Sequence, residues 1–106
     1  MAHIVITSPA DADAAHILAE LGAMAGAKIA ERYISDFDKL FVRLATYPQS
    51  GSPRAALGPH VRICIVSPYV VIYEHVDAGE VVTIMRIVHG RRKITRRLLK
   101  QIARRR

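Results

Sequence analysis

Tryptophan is absent, phenylalanine occurs twice and cysteine once in this chain of 106 residues. A lone Cys64 excludes an internal disulfide, and with it the disulfide-stapled secreted scaffolds. It sits within an apolar run, so it reads as an inert buried thiol rather than a nucleophile. Metal-ligand spacing is missing too. His3, His16, His60, His75 and His89 are scattered, with no i, i+4 helix pair and no His/Cys/Asp cluster, so neither a metal site nor a cofactor is expected. No apolar run approaches the ~20 residues that cross a bilayer, and Asp11 and Asp13 interrupt the start before a signal-peptide core can form. These absences predict a cytoplasmic protein without membrane association.

Acidic residues are scarce in one half only. Residues 1–50 carry four Lys and Arg against six Asp and Glu, while residues 51–106 carry twelve against three, so the halves stand at −2 and +9. Ten of the cations lie between Arg86 and Arg106. Such a concentration attracts a phosphate backbone or an acidic partner. At this length one domain, residues 1–106, has room for a single core, with residues 100–106 read as a basic tail.

His3 to Thr7 is a short β-branched run that stops at Ser8 and Pro9. Ser8 suits an N-cap, Pro9 the first helical position, and Asp11 the positive end of the helix dipole. Ala14, Ile17, Leu18, Leu21 and Ala25 then recur at helical spacing, with an interhelical turn expected between Gly22 and Gly26. In the next segment Ala30, Tyr33, Phe37, Leu40 and Leu44 form the clearest stripe in the chain, flanked by Ile34 and Phe41. Together these segments predict an antiparallel helical hairpin.

Pro48 closes the second helix, and Gln49 to Pro53 reads as loop. Three strand-like runs follow, Val61 to Ser67, Val70 to Val76 and Val81 to Val88, with Pro68 and Tyr69 between the first two and a turn at Asp77, Ala78, Gly79 and Glu80 between the last two. Ile94, Leu98 and Ile102 recur every four residues in a final helical segment. The predicted fold class is α+β in two layers. An N-terminal strand joins a three-stranded antiparallel meander in one sheet, with helices against one face.

The last strand is where core and chemistry meet. Arg86 and His89 are the only ionisable groups in an otherwise apolar run that opens into Gly90, Arg91, Arg92 and Lys93. On a regular strand residues 86 and 89 point to opposite faces, so they share a site only if the strand ends or bulges before His89. Arg62 can lie on the same sheet face as Arg86, but the register is not readable from spacing.

Phe37, Phe41, Leu44 and Ala45 running into Pro48, Gly51 and Arg54, then Val61-Arg62, Tyr69, Tyr73, and finally Arg86, His89, Gly90 and Arg92, resemble in order and spacing the RelE/ParE toxin superfamily of bacterial toxin–antitoxin modules. The resemblance runs from about His3 to Leu99. It implies a toxin silenced by an antitoxin that combines a ribbon-helix-helix DNA-binding domain with a segment folding along the toxin surface, the two forming a hetero-oligomer. A segment of that kind needs an exposed apolar groove, and Ile17, Leu21, Tyr33 and Phe37 are the residues expected to line or underlie it.

Two branches of the superfamily differ in target. RelE-like members cut messenger RNA on the ribosome, which would assign Arg62 and Arg86 to the phosphates and His89 to proton transfer. Of these side chains only the imidazole can shuttle a proton, because a guanidinium stays protonated. ParE-like members, the plasmid-stabilisation branch with ParD-like antitoxins, inhibit DNA gyrase and are not known for a reaction of their own. The run Arg-Ile-Val-His-Gly-Arg-Arg from Arg86 to Arg92, with no tyrosine beside or after His89, resembles the second branch more closely. A ParE-like gyrase inhibitor whose target-binding residues are Arg86, His89, Arg91 and Arg92 is therefore expected, with no catalytic residues; the ribosome-dependent nuclease stands as the alternative.

Overall fold

The computed structural model describes residues 1–76 and 79–103, the last four by backbone alone. Asp77 and Ala78 of the expected turn, the side chain of Ile102 and residues 104–106 of the tail lie outside the described residues. Strand β1 (His3–Ile6) leads into helices α1 (Ser8–Ala25) and α2 (Ala27–Thr46); β2 (Ser52–Pro53), β3 (Val61–Val66), β4 (Tyr69–His75) and β5 (Val81–His89) follow, and α3 (Arg96–Ala103) ends the described chain. The strands form one sheet in the order β1-β5-β4-β3-β2. β1 runs parallel to β5, from His3 opposite Val81 to Ile6 opposite Ile84, and the other pairings are antiparallel.

The predicted helical hairpin forms, with three differences of detail. Thr7, not Ser8, caps α1: its Oγ1 accepts from the Ala10 N–H at 3.2 Å, while its hydroxyl lies 2.9 Å from the Ile84 carbonyl and 3.0 Å from that of Met85. A tertiary contact thus selects the cap from two neighbours of similar propensity. Helix α1 continues through Gly22, and the turn is reduced to Gly26, whose φ of 96° favours glycine. Gln49 to Pro53 is not all loop, because Ser52 and Pro53 pair with Ile63 and Arg62. A proline, lacking its N–H, is tolerated at such a sheet edge.

Two apolar clusters flank the sheet. Ile17, Phe37, Leu40 and Leu44 of the hairpin pack on Cys64, Val71, Tyr73, Val82, Ile84 and Ile87. Leu98 and Leu99 of α3 cover Val61, Val70, Ile72 and Val88 on the opposite face. Both faces of β4 and β5 are therefore buried, which explains why their sequences are nearly continuous apolar runs. Burial of the α2 stripe follows its spacing: Phe37, Leu40 and Leu44 lie inside, whereas Ile34 and Val42 face out.

The segment between α2 and β3 is pinned from beneath. Tyr73, fully buried, donates its hydroxyl to the Pro48 carbonyl at 2.8 Å and accepts from the Gly51 N–H at 2.9 Å. Arg62 donates to the Gln49 carbonyl at 3.0 Å and the Gly51 carbonyl at 2.8 Å. A Cβ at residue 51 would sit 2.6 Å from the Tyr73 hydroxyl, so the close approach of the backbone requires glycine.

Candidate functional site

Strand β1 covers β5 only as far as Ile84. Beyond that point β5 bulges, since the pairing with β4 shifts between Ile72 opposite Arg86 and Tyr73 opposite Ile84, leaving Met85 unpaired. The bulge precedes Arg86, and the strand then runs on through His89. Helix α1 takes over where β1 stops. Asp13 accepts from Arg86 Nε at 2.6 Å and Arg86 Nη2 at 2.9 Å, and its Oδ2 also accepts from the backbone N–H of Ile87 at 3.0 Å. One carboxylate thus satisfies a forked guanidinium and a backbone donor that no strand reaches.

Arg86 is 8% exposed, and its charge is neutralised within the molecule. Arg62 is likewise engaged by loop carbonyls and lies two strands away, with β4 between them. His89 has partners of its own: its ring meets Tyr69 edge to face at 5.8 Å, and its Nδ1 accepts from the Arg91 N–H at 3.0 Å. An accepting Nδ1 places the neutral ring's proton on Nε2. Arg62, Arg86 and His89 therefore have separate partners rather than a common site. Asp13 was missed by sequence reasoning, although it shares a helix face with Ala10 and Ile17, both buried. A carboxylate on an apolar stripe and an arginine in an apolar strand are each costly alone, and pairing offsets part of both costs.

Past His89 the chain turns, the Arg92 N–H bonding the His89 carbonyl at 2.9 Å and the Gly90 N–H the Pro68 carbonyl at 2.8 Å. Arg91, Arg92, Lys93, Arg96 and Arg97 emerge exposed from this turn and the start of α3. Among the described residues none of these five side chains has a hydrogen bond or a carboxylate within 4.0 Å. Beside them a cleft of about 220 Å³ is lined by residues that include Asp13, His16, Ile17, Glu20, Tyr69, His89 and Arg92. Its other acid, Glu20, lies 3.4 Å from His16 on the exposed face of α1. Burial, with Tyr33 and Glu20 adding to it, pushes the Tyr69 phenol above its ordinary range, so at neutral pH Tyr69 is no proton acceptor. Burial likewise raises the Cys64 thiol, which stays protonated against the partial opposing pull of Arg43.

A larger groove of about 710 Å³ runs between α2 and β3, over Ile29, Tyr33, Leu40, Ile65 and Val66, with Arg32, Asp36, Lys39 and Arg43 around it. Strand β2 pairs β3 only at Arg62 and Ile63, which leaves Ile65, 59% exposed, on an open sheet edge. Of the four residues expected at a groove, Tyr33 lines this one, its hydroxyl donating to the Ser67 carbonyl at 3.1 Å. Phe37 and Ile17 are buried in the core, and Leu21 packs against it half-buried.

Compared with known families, residues 4–94 match the model of the ParE toxin of type II toxin–antitoxin systems, parDE. The chain belongs to the ParE toxin family. Toxin ParE3 of Caulobacter vibrioides is 30% identical over 101 residues, which cover 95% of this chain and 99% of that protein. Among solved structures, the chromosomal ParDE toxin–antitoxin system from P. aeruginosa aligns with a TM-score of 0.69 at 22% identity, over 84% of this chain and 96% of that one. The ParE fold is thus the α+β arrangement of sheet and hairpin described above. Among the described residues no helix is long and apolar enough to cross a membrane, and no group of three or more His, Cys, Asp or Glu side chains is placed to hold a metal ion.

Proposed function

We propose that this ParE-family toxin inhibits DNA gyrase in the cytoplasm and is silenced by a ParD-like antitoxin. The observation that carries the reading is the contrast between engaged and unengaged cations. Arg62 and Arg86, the arginines a ribonuclease would use on phosphate, are consumed by internal contacts, whereas Arg91 and Arg92 have no side-chain partner among the described residues and stand exposed near His89. Cleavage of RNA through its 2′-hydroxyl needs a proton acceptor, a proton donor and cations on the phosphate between them. His89 and a protonated Tyr69 are a potential acceptor and donor, but Arg62 and Arg86 are turned inward to separate partners and do not gather a phosphate between them. A surface that grips a macromolecule, without chemistry of its own, fits the arrangement better. Arg86 then acts as a positioning residue, setting the end of β5 from which His89, Arg91 and Arg92 reach the target.

The antitoxin is assigned to the groove between α2 and β3. Its floor is apolar, its sheet edge is open, and three of its four charged lining residues are cationic. These features suit an amphipathic acidic segment that folds on binding. Tyr33 is the contact residue, while Ile17, Leu21 and Phe37 support the groove from within.

A supercoiling assay with purified gyrase tests the target: inhibition by the wild-type chain is expected, and its loss on Arg91→Glu with Arg92→Glu. Cleavage of messenger RNA in a translation extract, with gyrase unaffected, would replace this reading by the nuclease one. For the antitoxin, a folded Tyr33→Asp variant is expected to lose affinity for the product of the neighbouring gene; undiminished affinity removes the groove assignment.

A further inference from the structure

The five unpartnered cations between Arg91 and Arg97 have a character of their own, and we propose that they form a binding surface for the sugar-phosphate backbone of duplex DNA, which this chain occupies without help from another protein. Three observations select that partner.

Electrostatics comes first. Of the two carboxylates lining the cleft beside the ridge, Asp13 is engaged by Arg86 and Glu20 lies beside His16, and among the described residues no carboxylate lies within 4.0 Å of a ridge cation. The first turn of α3 holds no acidic residue, and it places Arg96 and Arg97 where the helix dipole is itself positive. Potentials of one sign therefore add along the segment. Duplex DNA carries roughly one negative charge per 1.7 Å of axis, a density that offers several phosphates to a cluster of five cations.

The low apolar content of the segment favours a nucleic-acid backbone over a protein as the direct contact of these five side chains. Protein interfaces are anchored by buried aromatic or aliphatic side chains at their centre. Ile94, the one large apolar residue here, is half-buried against the cluster under α3 and has little surface to offer. Single-stranded RNA is disfavoured on similar grounds, because its binders stack bases on exposed aromatic rings. No aromatic residue occurs between His89 and Arg97, and Tyr69 is committed edge-on to Tyr33 and His89. What is left is cationic side chains alone, the equipment of sequence-independent backbone contact.

This inference does not depend on gyrase being the target. If both hold, the ridge touches the DNA that gyrase carries, and His89 with the cleft beside it faces the enzyme.

Binding of the full chain to a labelled 20-base-pair duplex, titrated between 50 and 200 mM salt, tests the proposal. Five phosphate contacts predict a slope of log K against log salt of about −4.5 or steeper, equivalent to a loss of roughly 500-fold across that range. The triple variant Arg91→Gln, Arg92→Gln, Lys93→Gln is expected to flatten the slope by about 2.7 while its thermal melt stays unchanged, because it alters only exposed side chains. Removing charge elsewhere, with Lys28→Gln and Arg54→Gln, is expected to leave the slope as it was. Equal slopes for wild type and triple variant, or no binding at 50 mM salt, overturn the proposal. Tighter binding of a single-stranded RNA of the same length overturns the choice of duplex DNA. Run on the same preparations, the supercoiling assay separates the two readings: gyrase inhibited without DNA binding rejects the ridge proposal alone, and DNA binding with gyrase untouched rejects the gyrase reading alone.

Discussion

Arg86 and Arg91 stand five residues apart on one stretch of chain and have opposite surroundings. Arg86 lies within the last strand, beneath α1, where Asp13 grips it with two hydrogen bonds. Arg91 lies beyond the strand, exposed, with no side-chain partner among the described residues. The first serves the fold and the second is available to another molecule. Residue type does not separate them; position relative to the end of β1 and the first turns of α1 does. The same division holds for Arg62, which clamps a loop, against Arg92, whose side chain has no partner among the described residues.

Substitutions on the two sides of that division differ in what they damage. Arg86→Ala leaves the Asp13 carboxylate partly buried without a counter-ion and is expected to cost about 3 kcal/mol, read as a lower urea midpoint. The double variant Asp13→Ala, Arg86→Met is expected to be less destabilised than the two single changes added together; simple additivity would mean that the pair is not coupled. Gly51→Ala drives a methyl group into Tyr73 and the Ile63 carbonyl and is expected to cost about 1–3 kcal/mol, showing that Arg62 and Tyr73 hold a shaped loop rather than a loose one.

The next test is alkaline. Burial raises the Tyr73 phenol above its ordinary range, against a partial opposing pull from the Gly51 hydrogen bond. The folded chain therefore holds this proton more tightly than the unfolded one. Its contribution to stability is complete below about pH 10 and is lost as pH rises from there through the folded value. Urea midpoints at pH 9 and pH 11 are expected to fall, and Tyr73→Phe to lessen the fall. Ultraviolet titration that ionises all four tyrosines near pH 10 with the fold intact would contradict this. Smallest in stability is the outer side: Arg91→Glu with Arg92→Glu is expected to change unfolding by less than about 0.5 kcal/mol while abolishing toxicity in cells. A large loss of stability in that variant would erase the distinction between the two sides.

Much of this architecture was legible in the chain. The Phe37, Leu40 and Leu44 stripe, the apolar runs of the last three strands and the jump in charge after Arg86 each report a strong local pattern. What escaped is tertiary. The choice of Thr7 over Ser8 depends on carbonyls of β5, and the bulge at Met85 depends on where β1 runs out. The inward turn of Arg86 depends on Asp13, 73 residues earlier. Pairing of β1 with β5 rather than with a neighbour in sequence is equally invisible to periodicity. For the groove, spacing put Tyr33 and Phe37 on one stripe with Phe37 the better core residue, and the structure has Phe37 buried in the core and Tyr33 lining the groove.

The strand that carries the site is held on one side by the first strand of the chain and on the other by β4. His3 and Val81 are brought together from positions 78 apart, so this junction is among the non-local pairings whose loop-closure entropy must be met before they form. A fragment lacking either end has no rigid stem on which to mount its charged tip. On the proposed reading the consequence is a safety catch: a copy lacking either end is expected to be blunt, its charged tip without a stem.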